Sequence, residues 1–340
     1  MKAAVFHGPE EGLRVEEWPT PEPGPGEVMI RVAACGVCHT DLHYLDHGTP
    51  TFKAPPLVLG HEVSGTVVRL GEGVEGFAEG AHVLVAAVWS CGRCAACRSG
   101  RENICERGVM PGNHTDGGYA EYMVAPARDI FPLPEGVPLV EGAIIADALT
   151  TPYHAVARRG AVQPGDRVVV IGCGGVGLNV VQTAVALGGR VVAVDLSADK
   201  LERARALGAT AVLNPGEVER LDRAVRELTE GGADVAFEVV GRASTQEQAL
   251  ACLRTGGRLV LVGYSPETMG LNAGRVMFRE LSVVGSLGCP PIDYPRVIEL
   301  VRQGRLEVKS MVTHRFPLEA IDDAFAVLRA GEAVRAVVTP

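Results

Sequence analysis

Arg167-Val168-Val169-Val170-Ile171-Gly172-Cys173-Gly174-Gly175-Val176-Gly177 is the stretch on which the fold turns. Its apolar run reads as a strand covered on both faces, ended by a tight glycine turn that opens a helical segment over 176–187. In that context a G-x-G-x-x-G pattern has a physical reading. Gly172 permits the turn, Gly174 lets a pyrophosphate approach the backbone, and Gly177 lets helix and strand pack closely. Gly175 and Val176 open the helix whose N-terminus faces the phosphates. The next apolar run, over 190–195, ends in Asp195, a carboxylate placed to accept both hydroxyls of an adenosine ribose. A 2′-phosphate would meet that charge with repulsion, and Leu196-Ser197-Ala198 bring no arginine to neutralise it, so the pattern selects NAD over NADP.

Outward from this turn the alternation continues, with a helix from Ala198, a strand over 235–240, a helix near 244–253 and a strand over 258–262. Apolar runs of this kind build a doubly wound parallel sheet, here spanning 148–285. The flanks read differently. From Lys2 to Asp147 short β-rich runs such as Val28-Met29-Ile30-Arg31-Val32 stand between Gly and Pro punctuation, which predicts an antiparallel, barrel-like domain. The tail from Ser286, with an amphipathic helix over 294–303 and a β-like run over 336–338, is assigned to that first domain. The expected architecture is α/β: a Rossmann domain over 148–285 inserted into a β-rich domain made of 1–147 and 286–340.

Bulk properties narrow the function. A chain of 340 residues fits two domains, and a net charge of -9 argues against a protein built to grip phosphate backbones. No apolar run approaches the ~20 residues of a membrane span, and the start lacks the pattern of a secretion signal, so no membrane partner and a cytoplasmic location are expected. Nine cysteines, an odd number with four crowded together, point to metal ligation in a reducing compartment rather than to disulfides.

Those four are Cys91, Cys94, Cys97 and Cys105. Four soft thiolates from one glycine-punctuated loop suit a closed tetrahedral zinc with no position for substrate, hence a structural ion. A redox C-x-x-C would instead place two cysteines at a helix start after a strand.

Elsewhere Cys38, in Cys35-Gly36-Val37-Cys38-His39-Thr40-Asp41-Leu42-His43, and His61, in Gly60-His61-Glu62, offer one thiolate and one imidazole. Two ligands are too few for a site. Taken in order, these two motifs, the four-cysteine lobe and the glycine turn resemble the zinc-containing medium-chain dehydrogenase (alcohol dehydrogenase) family over essentially the whole chain. The resemblance implies a GroES-like fold for the β-rich domain and a third ligand at Asp147, where many members carry Cys. A Cys/His/Asp set with one open position fits a catalytic zinc. Two zinc ions per chain and NAD(H) are thus the expected cofactors.

Further roles follow from the same resemblance. Thr40 takes the proton released by the substrate hydroxyl and His43 passes it out, through the cofactor ribose. Asp41 orients His61, and Glu62 lies behind the metal. His39 and Arg335 reach the pyrophosphate and Lys200 the adenosine ribose, while Thr151, Val239, Val262 and Leu287 sit beside the nicotinamide. Read alone, Thr40 is a turn residue, His43 a surface histidine, Lys200 a solvated helix lysine, and Val239, Val262 and Leu287 plain core. The substrate expected is a small alcohol or carbonyl compound, and the assembly a homotetramer or homodimer.

Two other readings stand beside a zinc alcohol dehydrogenase. The segment 111–118 and the surroundings of Asp147 look similar to dehydrogenases of cyclic hydroxyacyl-CoA substrates, which a basic patch at the cleft mouth would favour. A non-catalytic NAD-sensing scaffold is disfavoured by Cys38, His61, Thr40 and His43 standing together. Polyol and threonine dehydrogenases tend to present Glu near the third-ligand position, which makes those activities less attractive for this chain. Trp89, His47, His114 and Leu287 are candidates to shape specificity, which motifs do not encode.

Overall fold

The computed structural model describes residues 1–340 and divides into two compact units, Met1–Thr150 with Gly288–Pro340, and Thr151–Leu287. The boundaries read from sequence lie within a few residues of these.

The second unit is built on a six-stranded, wholly parallel sheet in the spatial order Ala211–Leu213, Arg190–Val194, Arg167–Ile171, Ala233–Glu238, Leu253–Leu261 and Ser282–Gly285. The chain enters at the centre and winds first one way, then the other. That leaves a topological switch point between Arg167–Ile171 and Ala233–Glu238, where such sheets bind ligands at their carboxyl ends. Val168, Val169 and Val170 are entirely buried, as central strands demand. Helix Gly175–Ala186 covers them with Leu178, Val180, Val181 and Ala184, each such side chain contributing about 1.5–3 kcal/mol of burial for the larger aliphatics. Gly172 has φ 97°, and a Cβ on Gly177 would fall 1.8 Å from the Gly172 carbonyl oxygen, so the helix can start there only on glycine.

The first unit holds a seven-stranded sheet in the order Val312–Pro317, Arg335–Thr339, Glu27–Gly36, Glu62–Leu70, His82–Val85 and Ile130–Pro132, with Tyr122–Pro126 also pairing Glu27–Gly36. A smaller sheet joins Leu13–Glu17, Lys2–Phe6 and Leu57–Val58. Pairing is antiparallel, as expected, with one departure: Val312–Pro317 runs parallel to Arg335–Thr339, because helix Ile321–Arg329 makes the crossover between them. Two register shifts in the pairing of Glu27–Gly36 with Glu62–Leu70 bend the sheet, and the register ends with Gly36 opposite Glu62. That final pairing brings the residues after Gly36 beside those before Glu62. No helix is long and apolar enough to cross a membrane.

Candidate functional site

Cys38 leaves strand Glu27–Gly36 in an extended conformation and caps helix His39–Asp46, its Sγ accepting from the Thr40 N–H at 3.5 Å. His61 immediately precedes strand Glu62–Leu70, and Asp147 ends the 3₁₀ turn Glu141–Ala146. The sheet register therefore gathers donors far apart in sequence: ligand atoms of Cys38, His61, Glu62 and Asp147 all lie within 4.8 Å of one another. His61 is buried, with Nε2 facing Asp147 Oδ2 at 3.8 Å and Nδ1 facing Asp41 Oδ1 at 3.6 Å. Both ring nitrogens and Asp41 Oδ1 are buried without a hydrogen-bond partner, which is what a ring poised to bind a cation through Nε2 and donate through Nδ1 would leave. Cys38, Glu62 and Asp147 offer a thiol and two carboxyl groups against one buried cation, Arg335, a donor set that suits a divalent ion. The residues present thus fit zinc.

Glu62 lies at the edge of this cluster, and its carboxylate needs the space that Gly36 leaves, since a Cβ there would fall 2.1 Å from Oε2. Burial pushes its pKa up, against the pull of the Arg335 guanidinium. The Arg335 side chain is buried, with Nη2 donating to both Glu62 oxygens. Strand Arg335–Thr339 pairs with Glu27–Gly36, which pairs in turn with the strand that begins at Glu62.

Thr40 Oγ1 is 3.6 Å from Cys38 Sγ, and His43 follows one turn later on the same helix, half-buried, its ring centroid 5.5 Å from that of His47. Desolvation, reinforced by the neighbouring His47, lowers the His43 pKa. His39 is exposed at the helix start. His114 is engaged otherwise: its Nδ1 accepts from the Met110 N–H and its ring stacks on the exposed Phe52 at 4.2 Å. Lys53, against the same 111–118 segment, is paired with Asp116 at 2.6 Å.

The four-cysteine lobe closes as its spacing predicts. Sulfur separations of 3.4 Å (Cys94 to Cys97), 3.7 Å (Cys94 to Cys105) and 3.9 Å (Cys91 to Cys97) straddle the ~3.8 Å edge of a tetrahedron with ~2.3 Å zinc–sulfur bonds. Backbone N–H groups at Arg93 and Cys94 bring Cys91 down to about 6, while desolvation and the surrounding thiols hold Cys97 up at about 11. Four sulfurs this close cannot all ionise without a cation among them.

In the second unit Asp195 is held by its own turn, Oδ2 accepting from Cys173 N–H at 2.7 Å and Oδ1 from Ser197 N–H at 2.9 Å. It lines a cavity of about 650 Å³ together with Gly172, Gly216, Val240, Arg242, Thr245 and Gln248. A Cβ on Gly174 would meet nothing within 4 Å, leaving the helix N-terminus open to a phosphate. Lys200 stands in the first turn of helix Ala198–Ala206, outside the cavity lining. The residues after Asp195 bring no arginine, but a different strand end delivers Arg242 to the same cavity. Val239, Val262 and Leu287 follow the carboxyl ends of three parallel strands. They are not core: the two valines are half-buried and Leu287 is 66% exposed. Thr151 opens the unit, half-buried.

Residues 24–135 match the alcohol dehydrogenase GroES-like domain and residues 175–303 the zinc-binding dehydrogenase family. An alcohol dehydrogenase of Moraxella sp. (strain TAE123) is 37% identical, with 98% of this chain and 97% of that one aligned. A sorbitol dehydrogenase of Halalkalibacterium halodurans is 36% identical over 100% of this chain and 99% of its own. Polyol and alcohol dehydrogenases thus stand at similar identity to this chain. A solved structure from Sinorhizobium meliloti 1021, bound to NADP, superposes with a TM-score of 0.92 at 33% identity, covering 100% of this chain and 99% of that one. Motif order, both donor clusters and these similarities converge: the chain belongs to the zinc-containing medium-chain dehydrogenases, oxidoreductases acting on alcohols.

Proposed function

We propose that the protein is an NAD-dependent zinc alcohol dehydrogenase that transfers hydride reversibly between a small alcohol and the nicotinamide. The observation that carries this reading is the convergence of Cys38, His61 and Asp147, with the Thr40 hydroxyl 3.6 Å from Cys38 Sγ. Zinc at such a site supplies Lewis acidity toward a hydroxyl or carbonyl oxygen, and NAD supplies the two-electron acceptor. The protein's share is placement and proton handling. Cys38, His61 and Asp147 hold the ion, while the Glu62–Arg335 pair sets the charge behind it. Thr40 Oγ1 receives the proton given up by the substrate hydroxyl, and His43, kept neutral by desolvation, is the base through which it leaves.

For the cofactor, Asp195 presents a carboxylate whose backbone donors fix it in place, which favours two ribose hydroxyls over a phosphate. Gly172, Gly174, Gly175, Val176 and Gly177 cradle the pyrophosphate, and Val239, Val262, Leu287 and Thr151 line the nicotinamide side. We infer a homodimer or homotetramer paired through strand Ser282–Gly285. That strand lies at the edge of its sheet and follows Met277 and Phe278, which are 72% and 83% exposed.

A metal count with an alcohol and polyol panel, followed by NADH absorbance, tests the reading. Two zinc ions per chain and turnover with NAD are expected; one zinc and no turnover would leave the inert scaffold.

A further inference from the structure

We propose that Tyr119 is a positioning residue of the metal centre, its phenol holding the Asp41 carboxylate so that Asp41 in turn fixes the His61 ring. This rests on the reading of Cys38, His61 and Asp147 as a zinc site.

Tyr119 is entirely buried. Its backbone is held from two sides, the N–H donating to Leu59 O at 3.1 Å and the carbonyl accepting from Ala4 N–H at 2.8 Å. The ring meets Phe325 edge-on at 5.9 Å. It occupies space left by the residue before His61: Gly60 has φ 95°, and a Cβ there would come 3.1 Å from the Tyr119 ring and 2.7 Å from Cys35 Sγ. The glycine of the Gly-His-Glu motif is thus required by its positive φ and by Cys35 Sγ, with the aromatic ring closing the remaining space.

The phenol oxygen lies 2.7 Å from Asp41 Oδ2 and 3.1 Å from the Gly36 carbonyl oxygen. One proton serves one acceptor well, and the shorter, charge-assisted bond to the carboxylate takes it. Asp41 is itself fully buried, and its other oxygen, Oδ1, has no neighbour to bond except His61 Nδ1, 3.6 Å away. A carboxylate pinned at one oxygen presents the other in a fixed direction. Without the phenol the group is free to turn about its own axis, and the His61 ring loses the partner that sets its tautomer and aim. The bland alternative is that the hydroxyl merely satisfies Gly36.

Zinc release from the holoenzyme to a colorimetric chelator separates the two. Wild-type protein should release zinc in two phases, one per site; retention at the four-cysteine lobe alone would sink the underlying site assignment. Tyr119→Phe should speed the phase belonging to the Cys38/His61 site by about 10-fold and leave the other unchanged. In an Asp41→Asn background the same substitution should add nothing further. Equal release rates in wild type and Tyr119→Phe, or an additive effect on top of Asp41→Asn, overturns the proposal while leaving the zinc site standing. If Tyr119→Phe does not fold, 3-fluorotyrosine incorporated in place of the tyrosines keeps the volume. The fluorine-19 resonance assigned to position 119 should move when zinc is stripped from the Cys38/His61 site, and an unmoved resonance refutes the connection.

Discussion

Arg335 donates through Nη2 to both carboxylate oxygens of Glu62, and both side chains are buried. A buried pair of this kind adds little net stability as a pair, yet removing one partner strands the other. Arg335→Met should therefore cost about 3–5 kcal/mol in urea unfolding. The double variant Glu62→Gln/Arg335→Met should recover most of that loss. A single variant as stable as wild type would mean that the guanidinium is dispensable to its neighbour.

Asp147 differs from the other donors in being partly exposed, at 26%. Asp147→Asn keeps the shape and removes the charge, so zinc retention and the hydride-transfer rate should fall, each by about 10-fold or more. NAD affinity, measured by fluorescence titration, should be nearly unchanged. Unaltered turnover would show that the third ligand is another group.

Asp195→Gly should relax discrimination against NADP, because it removes the repulsion while Arg242 stays in the cavity to meet a 2′-phosphate. The ratio of kcat/KM for NAD to that for NADP is expected to drop by about 10-fold or more, the effect of removing roughly 1.4 kcal/mol of discrimination. Adding Arg242→Ala should restore part of the preference by weakening NADP binding. Continued strong exclusion of NADP in the first variant would count against the role given to Asp195.

The His43 pKa is lowered, first by desolvation and then by His47. The neutral ring is thus favoured in the folded protein. As pH falls below about 6.5 the unfolded chain takes up its proton first, so the stability His43 contributes is present above that pH and is lost on acidification toward the folded value. His47→Gln removes the second cause and should raise the His43 pKa. The acid limb of the turnover profile should shift to higher pH with it, alongside the ring-proton titration seen by NMR. A titration that stays in place would show that the two rings do not sense each other.

Much of this arrangement was legible before any coordinates. Val168–Val170 and the glycines that follow announce a central parallel strand and its turn because periodicity and backbone freedom are local properties. The four cysteines are equally local. Other features were hidden for physical reasons. Strand Ala211–Leu213 has only three residues, all half-buried, and leaves no apolar run to read. The parallel pairing of Val312–Pro317 depends on a crossover helix, and strand direction is invisible in composition. The pairing of Arg335 with Glu62 was hidden because the two are distant in sequence and meet only through the register of three neighbouring strands. Arg242 escaped because a cavity wall collects residues from separate strand ends.

The interrupted first unit has a consequence for biogenesis. Cys38, His61 and Asp147 are all translated before the dinucleotide unit begins, whereas the strand bearing Arg335 follows it. On the ribosome, then, Glu62 waits for its counter-charge until the second unit has been made. An ion captured early would meet an excess of negative charge and bind tightly, and the late arrival of the guanidinium would loosen that grip to its working strength. An ion bound before Arg335 arrives and one bound after it would thus meet different charges at one address.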